Sequence, residues 1–357
     1  MLLSIESSCD DSSLALTEIA SARLAFHHKI SQDSAHSVYG GVVPEIASRL
    51  HTKGLPQILA MVKEFLGDFT RLKAVAITTE PGLSVSLIEG LMMAKLLALH
   101  LRIPLISINH LIGHFYSLFI NQQQATFPMS VLLVSGGHTQ IIEAQNAQSF
   151  HIIAQSLDDS FGESFDKVAK MLSLGYPGGP IIESYASKLA PTTALHPLPL
   201  PLKDRQGFSF SGLKNATRLL IESLHAQNDC SKLDSSLSES DRALVCASFQ
   251  QAAIAHITNQ VEKYLKHKKH PKIRHFAIVG GASSNAALRA EIARLCAHFG
   301  LSLHLAPLEF CADNAAMIGR AAIPEWEMGH FADVIAQEVS PRSSTNYLQA
   351  ASTEPCP

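Results

Sequence analysis

His110 and His114 stand four residues apart, a spacing that on a helix puts both imidazoles on one face, close enough for a single metal ion. Spacing alone is a weak signal. With 18 histidines in 357 positions, chance supplies on the order of one H-x-x-x-H, and helix histidines satisfied by backbone carbonyls are the bland alternative. The pair does exclude one reaction. An H-E-x-x-H peptidase takes its general base from the residue after the first histidine, and here that residue is Leu111, followed by Ile112. Two carboxylates, Asp166 in FGESFDK and Asp313 in FCADNAA, sit in low-charge surroundings and need a metal, a ribose hydroxyl or a helix N-terminus as partner. For Asp313 the following NAAMI makes an N-cap the simplest use.

Two Gly-Gly loops, Ser135-Gly136-Gly137-His138-Thr139 and Gly280-Gly281-Ala282-Ser283-Ser284-Asn285, each follow an apolar run. Glycine lets backbone amides approach a phosphate or a ribose. Neither loop fits G-x-x-x-x-G-K-[ST] or G-x-G-x-x-G, which disfavours P-loop and Rossmann sites. Together with a polar tip at residues 6–13 they point to a nucleotide cleft. One dense basic run, residues 263–274, reads either as a solvated helix end or as phosphate contacts with a polyanion.

These residues need a frame. Residues 2–5 and 14–17 predict a hairpin around the polar tip, and residues 131–134 and 140–144 predict a second around the SGGHT loop, which together suggest a duplicated architecture. Residues 44–53, 83–100, 158–174, 238–269 and 286–299 read as helices, the second of them largely buried; 74–78, 104–108 and 276–279 read as strands. Asn109 is a fitting N-cap for a helix starting near His110. Residues 175–180 read as an irregular turn and 191–201 as a surface excursion. Alternating strands and helices predict an α/β chain.

The length suits two domains with their own cores. A net charge of −3 excludes a broadly basic surface, so any nucleic-acid contact needs a local patch. Six cysteines without a C-x-x-C pair, and an N-terminus without a basic and apolar leader, predict a reduced, cytoplasmic protein. Glu89, Lys95, His100 and Arg102 interrupt the most apolar stretch, residues 87–106, and argue against a membrane span.

The segments SIESSCDDSSLAL, YGGVVPEIASRLH, HLIGH, LLVSGGHTQ, DDSFGESFDKVAKMLSLGYPGGP, FSFSGLK, IVGGASSNAALR and FCADNAAMIGR, in this order over residues 1 to about 342, resemble the bacterial tRNA N6-adenosine threonylcarbamoyltransferase (TsaD) family. The resemblance implies an ASKHA fold, the duplicated two-lobe architecture of actin, sugar kinases and Hsp70, with lobes at 1–127 plus about 318–345 and at 128–317 around a nucleotide cleft. It implies a metal-dependent acyltransferase that moves threonylcarbamoyl from threonylcarbamoyl-adenylate to N6 of adenosine 37 in tRNAs reading ANN codons, forming t6A and releasing AMP. It makes His110, His114 and Asp313 ligands of one divalent metal per subunit, Fe2+ ahead of Zn2+, which displaces the N-cap reading of Asp313. It places the substrate against Leu133, Val134, Ser135, Gly136, Gly137, Asp166, Gly179, Glu183 and Asn285, and leaves the general base unassigned. Implied partners are the tRNA anticodon arm, a paralogous ASKHA subunit and a small P-loop ATPase, with no membrane.

The chain departs from the family's usual pattern at Glu80, Val85 and Ile112, where Gly, Gly and Glu are common. Two other readings of such a chain fit less well. A non-catalytic ASKHA paralogue predicts loss of the metal triad, and a small-molecule kinase needs a catalytic Asp for which the sequence offers no clear candidate.

Overall fold

The first strand, β1 (Leu2–Glu6), is buried on both faces, as a strand central to a covered sheet must be. Around it the computed structural model, which describes residues 1–190, 192–202, 205–227, 237–267, 273–343 and the backbone of 348–350, builds two compact units. The first comprises Met1–Met129, Glu143–His151 and His304–Pro357; the second comprises Ser130–Ile142 and Ile152–Leu303.

In the first unit β1 is followed by β2 (Ser12–Thr17), β3 (Leu24–Ile30), α1 (Asp33–Ser37), α2 (Pro44–Leu66), β4 (Ala74–Glu80), α3 (Ser84–Leu101), β5 (Leu105–Asn109) and α4 (His110–Tyr116). The sheet order is β3-β2-β1-β4-β5. β1 and β2 form the expected antiparallel hairpin, and β4 and β5 run parallel to β1, with α2 and α3 as the crossovers that parallel pairing requires. Leu3, Ile5, Leu14, Leu16, Ile58, Val75, Ile77 and Leu91 fill its core.

The rest of the chain adds β6 (Met129–Val134), β7 (Thr139–Asn146), β8 (Ser149–Gln155), α5 (Phe161–Met171), α6 (Gly178–Ser187), α7 (Ser211–Gln227), α8 (Glu239–His267), β9 (His275–Val279), α9 (Ala286–His298), β10 (Ser302–Leu305), α10 (Ala315–Met328) and β11 (Leu348–Ala350). Its sheet runs β10-β9-β6-β7-β8-β11. Reversed, the first five strands repeat the first sheet's pattern, a three-strand meander with two later strands added beside its first member. The second core includes a group of aromatic side chains: Phe161, Phe165, Phe208, Phe210 and Phe249 are all buried.

Four expectations change. The helix read over 158–174 begins only at Phe161, because Ser160 caps it and accepts from the Glu163 amide. The supposed irregular turn at 175–180 contains the start of α6, whose first turn is Gly178-Gly179-Pro180; proline is tolerated there because first-turn amides have no intrahelical partner. The basic run is divided: Lys263–His267 ends α8, and residues 268–272 lie outside the described residues, as does Pro191 of the proline-rich excursion.

The fourth concerns α3, which is not largely buried. Ser86, Leu87, Gly90, Leu91, Ala94, Leu97 and Ala98 pack inward, while Val85, Ile88, Met92, Leu96 and Leu99 are each at least 41% exposed. By length and composition this helix could cross a membrane. In this fold its inner face is part of the first unit's core against β4 and α2.

Candidate metal centre and substrate loops

Asn109 ends β5 and starts α4. Its Oδ1 accepts from the backbone amides of Leu111 at 2.9 Å and Ile112 at 3.4 Å, as the sequence predicts for an N-cap. His110 and His114 therefore share one face of a capped helix, with ring centroids 4.7 Å apart.

Asp313 reaches the same point from the other end of the first unit. Helix α10 lies close on the β1–β2 hairpin: Ser13 Oγ accepts from the Ala315 amide at 3.0 Å, and Ser4 Oγ donates to the Ala315 carbonyl at 2.7 Å. This approach needs small residues. A Cβ on Gly319 would lie 2.5 Å from Thr17 Oγ1, and one on Gly113 would lie 2.7 Å from Ile318 of α10. The N-cap of α10 is Asn314, which accepts from the Met317 amide, so the N-cap reading of Asp313 is wrong and its carboxylate is left for the histidines. Its Oδ1 lies 3.3 Å from His110 Nε2 and 3.2 Å from His114 Nε2.

The three donors lie within 4.8 Å of one another, and the two distances to Asp313 suit a shared metal ion. Donors held at ~2.1 Å from one ion lie about 3.0–3.4 Å apart in tetrahedral or octahedral geometry, and both measured separations fall in that range. His114 is fully buried and its Nδ1 has no hydrogen-bond partner, an arrangement costly for a polar group, while its Nε2 faces the Asp313 carboxylate. On His110 the other nitrogen is occupied: Nδ1 lies 3.1 Å from Glu6 Oε2 and 3.2 Å from Ser8 Oγ. A carboxylate only accepts, so Nδ1 carries a proton toward Glu6, which leaves Nε2 as the nitrogen that would take a metal beside Asp313, the arrangement that second-sphere carboxylates impose on metal-binding histidines.

Glu6 is itself fixed by the Ser8 amide at 2.6 Å and the Thr78 hydroxyl at 2.5 Å. Burial opposes its ionisation, but His110 outweighs that and lowers its pKa. Burial likewise works against a charged His110, yet Asp313 and then Glu6 raise its pKa well above that of ordinary imidazole. Asp313, despite burial, is held well below the usual carboxylate range by His110 and His114. Such a field favours positive charge among these donors, and a divalent cation meets it as a proton does. Asp11 of the β1–β2 loop is pushed up to about 7 by burial, against the pull of Lys29 2.7 Å away.

The other predicted residues lie in the second unit. Leu133 and Val134 are buried in β6. In the loop that follows, the Ser135 amide donates to the His138 carbonyl at 2.8 Å, and Ser135 Oγ accepts from the His138 amide at 3.1 Å. Gly136 and Gly137 have open space where side chains would be. Ser160 Oγ donates to the Gly136 carbonyl at 2.6 Å, which ties the loop to the N-terminus of α5. Asp166 Oδ1 accepts from the Gly178 amide at 2.7 Å, Glu183 Oε1 accepts from the Ala286 amide at 2.7 Å, and Asn285 caps α9 by accepting from the Leu288 amide at 2.9 Å. These contacts join α5 to α6 and α6 to α9, and Gly179 stands in the first turn of α6 with open space beside it.

Sequence reasoning missed Glu6, Ser8 and Thr78. Glu6 lies 104 residues from His110, and the only signal was its place at the start of the polar tip at residues 6–13.

A sequence profile of the family described as TsaD, tRNA N6-adenosine threonylcarbamoyltransferase, matches residues 23–320. The chain is 57% identical over 346 residues to the Wolinella succinogenes tRNA N6-adenosine threonylcarbamoyltransferase, covering 96% of this chain and 99% of that one. It is 53% identical over 364 residues to the protein of that name from Helicobacter hepaticus, covering 97% and 99%. Among solved structures, full-length HypF in its phosphate- and nucleotide-bound form is similar with a TM-score of 0.56 at 14% identity, over 96% of this chain and 47% of that one. Component A of the Acidaminococcus fermentans (R)-2-hydroxyglutaryl-CoA dehydratase gives 0.50 at 11%, over 91% and 96%. These two likenesses concern the fold, which is of the ASKHA type.

Proposed function

The chain belongs to the tRNA N6-adenosine threonylcarbamoyltransferase family, and on that premise we propose how its residues divide the work. The enzyme transfers threonylcarbamoyl from threonylcarbamoyl-adenylate to N6 of adenosine 37 in tRNAs reading ANN codons, forming t6A and releasing AMP. His110, His114 and Asp313 hold one divalent metal, which we take to be Fe2+ ahead of Zn2+ and which, when bound, supplies a Lewis acid for the acyl carbonyl or the phosphate oxygens. The observation that carries this reading is the convergence of three donors, from His110, His114 and Asp313, on one point. Glu6 keeps the His110 proton on Nδ1 and so keeps Nε2 available as a ligand.

The adenylate binds the second unit. The bare backbone of Gly136 and Gly137 approaches its phosphate or ribose, with Leu133, Val134 and Ser135 as the supporting strand end. Asp166 and Glu183 supply acceptors for ribose hydroxyls, beside Gly179 and Asn285. The lobes are taken as 1–127 plus about 318–345 and 128–317. The target adenosine leaves the anticodon-loop stack before reaction, and the basic run at 263–274 contacts the tRNA backbone. The unpartnered apolar face of α3 suits a paralogous ASKHA subunit, with a small P-loop ATPase as a further companion, and the cytoplasm is where such an enzyme meets its tRNA.

The test is incubation with threonylcarbamoyl-adenylate and unmodified tRNA, with and without those companions, followed by nucleoside analysis. We expect t6A from the wild type and none from His110→Ala. Equal t6A from both would overturn the assignment of the metal centre.

A further inference from the structure

The metal helix α4 lacks one support that its sequence leads one to look for. A capping box places Glu or Gln at the third helical position, and here that position is Ile112. A carboxylate is nonetheless present, on the neighbouring strand. The β4–β5 ladder pairs Thr78 with Ile108 and then Glu80 with Asn109, so β4 spends one extra residue, Thr79, at its end. Such a bulge re-aims the side chain that follows it. Thr79 Oγ1 meets Ser107 Oγ at 2.6 Å, and Glu80 Oε1, nearly buried, accepts from Asn109 Nδ2 at 3.2 Å. The second amide hydrogen of Asn109 goes to Ser343 Oγ at 3.0 Å.

With both Nδ2 hydrogens drawn to acceptors, the Asn109 amide has one orientation open to it. Oδ1 must face the Leu111 and Ile112 amides. A flipped amide would set NH2 against those N–H groups and oxygen against the Glu80 carboxylate.

We propose that Glu80 is a positioning residue for the metal centre: through the side chain of Asn109 it fixes the first turn of α4 and hence the aim of His110 and His114. This rests on the metal reading of those histidines with Asp313.

The test is Co2+ titration of the purified full-length protein, reading affinity and the visible d–d bands that report ligand geometry, with His114→Ala as the control for the site. Glu80→Leu should weaken Co2+ binding about tenfold, within the range for outer-sphere partners, and alter the bands; Glu80→Gln, which keeps an acceptor, should stay close to wild type. Asn109→Asp, which sets two carboxylates together, should also weaken binding, and Glu80→Gln combined with Asn109→Asp should restore it, because the carboxamide introduced on β4 then donates to the carboxylate introduced at the helix cap. Wild-type affinity and bands in Glu80→Leu, or a double variant no better than Asn109→Asp, overturns the positioning role while the metal reading stands. A fall in thermal stability with Co2+ affinity and bands unchanged also overturns it. Identical titrations of wild type and His114→Ala would sink the metal reading and this inference with it.

Discussion

The two hairpin loops of the duplicated sheets make opposite uses of one frame. Between β1 and β2 the loop is a wall of side chains. Ser7 Oγ donates to the Ser86 carbonyl at 3.0 Å, Ser8 lies against His110, the Cys9 carbonyl accepts from His51 Nε2 at 2.9 Å, and Asp11 pairs with Lys29. Between β6 and β7 only residues 135–138 intervene, and Gly136 and Gly137 leave open space where side chains would stand. Fixed carboxylates and imidazoles suit a cation; bare amides suit the oxygen atoms of a nucleotide. The strands set where each loop stands, and the residues inserted between them decide the charge of what it binds.

The largest effect expected from breaking this contrast is on the cation side. His110→Ala should lose bound metal, measured by elemental analysis, and reduce t6A formation by about 10³-fold or more, with an unchanged far-ultraviolet spectrum. Full activity would erase the difference between the loops. On the other side, Gly280→Ala forces a Cβ to 2.3 Å from the Val134 carbonyl oxygen at a φ of +94°. It should cost about 2–4 kcal/mol in denaturant unfolding.

Acid should separate the two units next. His256, in α8, accepts from the Ser209 amide at 3.1 Å, and burial lowers its pKa to about 4, whereas His110 is shifted upward by its carboxylates. A histidine kept neutral in the fold binds its proton more readily when unfolded. Its contribution is complete above about pH 6.5 and declines as pH falls toward 4, by about 2 kcal/mol at pH 5. Urea midpoints at pH 7 and pH 5 for the wild type and His256→Gln should show the variant losing less; equal losses would remove His256 as the cause. The smallest effect is the most selective. Gly137→Ala meets open space and should leave stability within about 0.5 kcal/mol while raising the KM for the adenylate about tenfold. An unchanged KM would mean that substrate does not approach this backbone.

Much of this was legible because it is local. Asn109 followed by the His pair declares a capped helix, and the apolar runs on either side of SGGHT declare a hairpin, since each pattern is satisfied within a few residues. Some misreadings are local, as where Ser160 and Asn314 take the caps read elsewhere; in others a partner farther along the chain decides the outcome. Gly178-Gly179-Pro180 looks like a turn until the Asp166 carboxylate takes the Gly178 amide. Residues 83–100 look like a buried helix because they are apolar nearly all round, although only one face finds a core.

The sequence by itself determined seven of the eleven described strands, the capped helix of the His pair and the family, because periodicity, capping and motif order are written in neighbouring residues. Tertiary structure alone showed what Glu6 contacts, and it brought Asp313, singled out until then by family resemblance, to the histidines. Both are single carboxylates whose use depends on charge within a few ångströms, and that charge comes from His110, 203 residues before Asp313 and 104 after Glu6. Electrostatic energy follows distance in space, which only the packing of α10 and α4 on the first sheet sets.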